Sequence, residues 1–257
     1  MTKKNKILML LVLLMTSSLA FSKPEQITLK KQNISVLQNQ QLCELLSEHC
    51  QEKPNWALYK TAQQQYYLID HLKLYQLKNE NKNWHIQAKW DFSDYPAETQ
   101  TPHWAKFQQD DQKNLSIFPK LFPVSATEYA IAIVGSWSEG YSGGGMGEEV
   151  ADFLKIKNNG QYMQLFQNIP LSMYRMVRAC FSEADYEEAQ GKCHDEAHLA
   201  TEIEYVKSGT WKIKYYFEID YSPASDSLAK SFKQHRVLIL DRNHANAIQL
   251  PQAWLDN

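Results

Sequence analysis

Hydrophobic and polar residues alternate strictly in two stretches of the chain. Trp84, Ile86, Ala88 and Trp90 are interleaved with His85, Gln87, Lys89 and Asp91. Trp211, Ile213, Tyr215, Phe217, Ile219 and Tyr221 are interleaved with Lys212, Lys214, Tyr216, Glu218 and Asp220. A period of two sends successive side chains to opposite faces of a strand, so each stretch predicts a strand with one buried face. Shorter strand patterns cover Trp56 to Lys60, Tyr66 to Asp70, Leu72 to Leu77, Tyr174 to Phe181 and Val237 to Asp241, and Ile27 to Leu37 predicts one or two more. Asn158-Asn159-Gly160 between Val150 to Lys157 and Gln161 to Phe166 is a tight-turn signal, as is Ser208-Gly209 between Glu202 to Lys207 and Thr210 to Tyr221.

Helical signals are few. Asn39 is placed to cap a short helix running through Glu48, with Leu42, Leu45 and Leu46 on one side. Ser182 and Asp185 resemble a capping box and would start a short acidic helix ending at Gly191. Leu228 to Phe232 predicts a helical turn. No alternation of strand with long helix is present, which excludes a doubly wound parallel sheet. The pattern predicts a mainly β protein (β-rich α+β), an antiparallel sheet or sandwich with a few short helices. The proline- and polar-rich stretch 94–102 could join two lobes of one domain.

The apolar run Tyr129 to Val134 leads into the most unusual stretch, which holds six of the nine glycines between Gly135 and Gly147. Glycine reaches backbone conformations closed to other residues and admits close neighbours, so this stretch predicts a loop of unusual shape or mobility.

The N-terminus changes the picture of where the protein works. Lys3, Lys4 and Lys6 precede the unbroken apolar run Ile7 to Met15, and small residues follow. This is the build of a secretory signal peptide over 1–22, too short to serve as a membrane span. The expectation is a single exported domain over 23–257, periplasmic or secreted, with no transmembrane segment after cleavage. Removing three lysines leaves 24 basic against 29 acidic side chains, a net charge of about −5, which offers no footprint for nucleic acid. Four cysteines in an exported chain predict two disulfides, with Cys43–Cys50 and Cys180–Cys193 as the local pairing.

Candidate chemistry is fragmentary. Gly140-Tyr141-Ser142-Gly143-Gly144 matches the G-x-S-x-G nucleophile elbow of α/β-hydrolases over five residues, and Asp220 or Asp226 with His235 or His244 follows in the required order. However, Ser136 to Glu139 separate the apolar strand from the first glycine, and no long helix follows. The same glycines suit a phosphate cradle poorly, because Glu148 and Glu149 come directly after Gly147. His194 and His198, four apart, would share a face on a helix as weak metal ligands, with His49 as a distant third. Glu183, Asp185, Glu187, Glu188, Asp195 and Glu196 form either a solvated face or a negative knob for a basic partner. With no complete catalytic or cofactor constellation, the reading is a non-catalytic binding, inhibitor or immunity-type module. It would need no cofactor and would meet another envelope or exported protein through Trp137, Tyr141, Gly143, Gly144 and Gly145. The alternatives are a serine hydrolase using Ser142 and a structural envelope component.

Overall fold

The computed structural model describes residues 23–46, 55–81, 83–96, 114–225, 230–242 and 249–255. The segment 1–22, Cys50, His49, Asp226, His244 and most of the 94–102 stretch lie outside these residues. The described chain forms two antiparallel sheets and three short helices. In chain order the strands are β1 (Ile27–Thr28), β2 (Lys30–Lys31), β3 (Trp56–Lys60), β4 (Tyr66–Asp70), β5 (Lys73–Glu80), β6 (Asn83–Asp91), β7 (Asn114–Pro123), β8 (Tyr129–Tyr141), β9 (Gly144–Ile156), β10 (Tyr162–Arg178), β11 (His194–Lys207), β12 (Thr210–Asp220) and β13 (Phe232–Asp241). The helices are α1 (Val36–Leu46), α2 (Glu183–Ala189) and α3 (Gln252–Leu255). The larger sheet has the order β1-β7-β8-β9-β10-β11-β12-β13, and the smaller has β2-β3-β4-β5-β6.

Three apolar cores hold these layers together. α1 covers one face of the small sheet, where Leu42 packs with Trp56, Leu58, Leu68, Tyr75, Leu77 and Trp84. The other face presents Tyr67, Leu74 and Trp90 to Ile117, Leu121, Ile131, Ile133 and Leu154 of the large sheet. On the far side of β8, Ala130, Ala132 and Val134 join Phe153, Phe166, Trp211, Ile213 and Phe217. β8 is therefore buried on both faces, which is why Ala130 to Val134 is continuously apolar rather than alternating. Trp211 is the centre of the largest core. Its ring meets Phe153 at 4.9 Å, Phe166 at 5.0 Å and Phe122 at 5.9 Å, and its Nε1 donates to the Pro123 carbonyl at 2.7 Å.

For β7 to β9 and β11 to β12 to share that core, the sheet must bend. The 17-residue strand β10 bends, with three register irregularities against β9 between Gln164 and Ser172. Asn168 takes the left-handed conformation there (φ 51°), which asparagine tolerates better than most residues. The buried Asp152 carboxylate secures the bend by accepting from Asn168 N at 2.8 Å and Tyr95 OH at 2.5 Å.

Several expectations are corrected. α1 starts earlier than Asn39: Ser35 Oγ accepts from Gln38 N at 3.3 Å, while Gln38 Oε1 accepts from Ser35 N at 3.0 Å, a capping box at Ser35. β6 does not keep one buried face. Ala88 stands opposite Gln76 and Ile86 opposite Leu77, so Gln87 is an extra residue that reverses the alternation. Trp84 consequently faces the helix-side core, whereas Trp90 faces the core between the sheets. Phe232 opens a strand rather than ending a helical turn. Cys180 and Cys193 are bonded, with Cα atoms 5.0 Å apart. Cys43 is also disulfide-bonded. No helix among the described residues is long and apolar enough to cross a membrane.

Candidate functional site

The glycine-rich stretch is a long hairpin and not a loop. β8 and β9 pair without a break from Ala130 opposite Lys155 to Tyr141 opposite Gly144, leaving Ser142 and Gly143 as the turn. None of the glycines of this hairpin has a positive φ; those that do are Gly160, Gly191 and Gly209. Their missing side chains are what the structure uses. A Cβ on Gly147 would lie 2.4 Å from the Tyr174 ring, and one on Gly144 would lie 1.8 Å from the Met176 carbonyl oxygen. The glycines thus let β10 and its tyrosine press against the hairpin.

This geometry separates the elements of the hydrolase reading. Ser142 sits in a strand-to-strand turn and is followed by β9, where an elbow would need a helix. His235 lies on β13 opposite Tyr216. That strand is four positions from β9 in the sheet order, and no hydrogen bond joins His235 to Ser142 among the described residues. The metal reading changes too. His194 and His198 fall in β11 rather than on a helix, so their spacing of four residues separates them by roughly 13 Å along the strand. Cys193 is held in its disulfide. No group of three His, Cys, Asp or Glu that could hold a metal ion occurs among the described residues.

Two of the sequence candidates do come together. The hairpin turn meets the disulfide-linked helix α2 through Arg178, the last residue of β10. Its backbone N donates to the Gly143 carbonyl at 2.5 Å. Its Nε donates to the Cys180 carbonyl at 2.6 Å and its Nη2 to Tyr186 OH on α2 at 3.1 Å. The guanidinium also lies 5.3 Å from the Phe181 ring centroid, within cation–π range. On the hairpin side, Tyr141 OH donates to the Met176 carbonyl at 3.0 Å.

The outcome is an exposed apolar cluster at this end of the sheet. Phe181 is 75% exposed, Tyr186 49%, Tyr141 42% and Val177 38%. Scattered exposed apolar residues are ordinary, but Phe181 and Tyr186 both meet the Arg178 side chain, with Tyr141 on the adjoining hairpin strand. Aromatic rings with an arginine are the composition of an interface centre. Trp137 is not part of it, being half-buried in β8 opposite the buried Glu148. No protein-family model, curated protein or solved structure matches this chain.

The acidic residues divide by role. Asp185 accepts from the backbone N atoms of Phe181 (2.8 Å) and Ser182 (2.7 Å), which hold its carboxyl below the usual range and fix the start of α2. Asp195 accepts from Ser222 N and Ser225 Oγ, both at 2.8 Å, tying β11 to the chain after β12. Glu183, Glu187 and Glu188 remain exposed on α2, forming an acidic margin to the aromatic cluster.

A separate cleft of about 580 Å³ opens between residues 23–26, β7 and β11, walled by Phe118, Phe122 and Tyr205. Of its four carboxylates, Glu149 accepts from Ser172 Oγ at 2.9 Å, Glu202 and Glu204 are engaged by Lys214, and Glu204 also by Lys212. Those hydrogen bonds push the Glu204 carboxyl down to about 2. Phe181, Tyr186, Val177 and Arg178 were not singled out by sequence reasoning. The available signal was Phe181 standing between a cysteine and a helix cap, where an apolar side chain is left outside the core.

Proposed function

We propose that this protein is an exported, non-catalytic binding module. Its contact surface is the end of the large sheet formed by Tyr141, Val177, Phe181 and Tyr186. The observation that carries this reading is the convergence of the hairpin turn and the disulfide-linked helix on Arg178, whose side chain meets the exposed rings of Phe181 and Tyr186 beside the hairpin strand that carries Tyr141. Aromatic residues and arginine supply most of the binding energy at protein interfaces. The carboxylates of Glu183, Glu187 and Glu188 favour a partner carrying an apolar patch with basic residues beside it, a match that speeds encounter and sets orientation. The local pairing of Cys180 with Cys193 supports an oxidising, extracytoplasmic setting, as does the N-terminal sequence.

The test is capture from a native envelope extract, with wild type compared against the double variant Phe181→Ala, Tyr186→Ala. Circular dichroism of the two must agree. A protein held by wild type and released by the variant supports the reading, and each hot-spot residue should then account for more than about 1 kcal/mol of binding. Equal capture by both would remove the aromatic cluster from the interface. Labelling of Ser142 by a fluorophosphonate, with loss of activity in Ser142→Ala, would replace the binding module with a hydrolase.

A further inference from the structure

The large sheet ends in a strand built to pair again. β13 runs ten residues from Phe232 to Asp241 and, among the described residues, pairs with β12 alone. Its ten register pairs with β12 show no bulge, and it contains no proline. Bulges, prolines, short length and edge charges are the usual devices that keep an edge strand from pairing with another chain, and of these β13 carries only charges, among them Lys233 and Arg236. One face of β13 packs inward through Leu238 and Leu240. On the other face, Val237 is 49% exposed and Ile239 59%.

We propose that β13 pairs antiparallel with β13 of a second copy, on a twofold axis through Val237. The register follows from geometry. A twofold axis normal to the sheet keeps like faces together, and facing residues must point to the same side. The two residue numbers in each facing pair must therefore add to an even sum. The axis through Val237 sets Lys233 opposite the second copy's Asp241 at both ends and His235 opposite Ile239. It also joins Val237 and Ile239 of the two copies into one apolar strip. Lys233, exposed and bridged to Glu218 of β12, stands at one end of the strand, and Asp241, which accepts from Thr210 Oγ1 at 3.0 Å, stands at the other, so the edge is complementary in charge to itself when reversed. An exposed bridge such as Lys233–Glu218 is worth little and is readily shared with a new partner. Two eight-stranded sheets become one continuous sheet.

Sedimentation velocity of the mature protein over a range of concentrations tests the proposal. Wild type should show a concentration-dependent dimer. Val237→Lys sets two like charges on the axis and should weaken it at least about tenfold. Lys233→Asp and Asp241→Lys should each weaken self-association about tenfold, since each sets like charges at both ends. Mixing those two variants pairs opposite charges at both ends and should restore the dimer. A wild type that stays monomeric overturns the proposal and leaves the edge to a strand of another protein. A dimer insensitive to Val237→Lys, or a mixture that associates no better than either variant alone, overturns it as well.

Discussion

Replacing Gly144 by alanine tests the reason for the glycines in the β8–β9 hairpin. The added Cβ would stand 1.8 Å from the Met176 carbonyl oxygen and 2.7 Å from its carbon. Carbon and oxygen atoms in close contact sit at about 3.3 Å or more, so β9 and β10 would have to part by roughly 1.5 Å. Overpacking of this kind costs ~1–3 kcal/mol, and each ladder hydrogen bond lost adds about 1 kcal/mol. Gly140 is the matched control, because a Cβ there meets nothing within 4 Å and its φ is ordinary. Gly140→Ala should be neutral or stabilise by up to about 1 kcal/mol, through the smaller freedom of the unfolded chain. Urea denaturation of the three proteins, with hydrogen exchange across the hairpin, measures the difference. Equal stability of the two variants would refute the close-approach account and return the glycines to a role in mobility.

Trp211→Ala should cost about 3–5 kcal/mol in the same denaturation assay, because it empties the meeting point of Phe122, Phe153 and Phe166. A loss below about 1 kcal/mol would mean that the two halves of the sheet do not depend on that core. Glu204 should titrate at about 2, held down by hydrogen bonds from Lys212 and Lys214. Because its folded value is depressed, its contribution to stability is present above the ordinary value of 4.5 and is lost as pH falls through about 2. Carboxyl NMR with a midpoint near 4.5 would show that the two lysines do not bind it.

The alternating runs made β12 legible as a strand, and the Asn-Gly and Ser-Gly turns located two of the hairpins correctly. The class of fold followed from them. Errors arose where tertiary demands overrode local pattern. β6 has the cleanest alternation in the sequence, yet one extra residue at Gln87 divides its tryptophans between two cores, and no local signal marks that residue. The glycines were read for backbone freedom, whereas β10 uses their lack of side chains. The candidate site was half visible. The glycine hairpin and the acidic disulfide segment each stood out, but their meeting through Arg178 depends on β10 ending beside the hairpin turn. That is a fact of sheet order, which periodicity does not encode.

From β7 to β13, every strand of the large sheet lies beside the strand before it in the chain. Within that run, a chain that emerges N-terminus first finds each new strand's mate already present, and among the described strands only the two-residue β1 waits, for β7. β7 is available when β8 arrives, β8 when β9 arrives, and so on to the end. Assembly can keep pace with emergence, each new hairpin closing over a short stretch of chain, and short closure distances favour fast folding. Each strand from β8 to β12 presents an open edge only until the next one arrives, which limits the time during which stray chains can attach to it. The growing edge stops at β13.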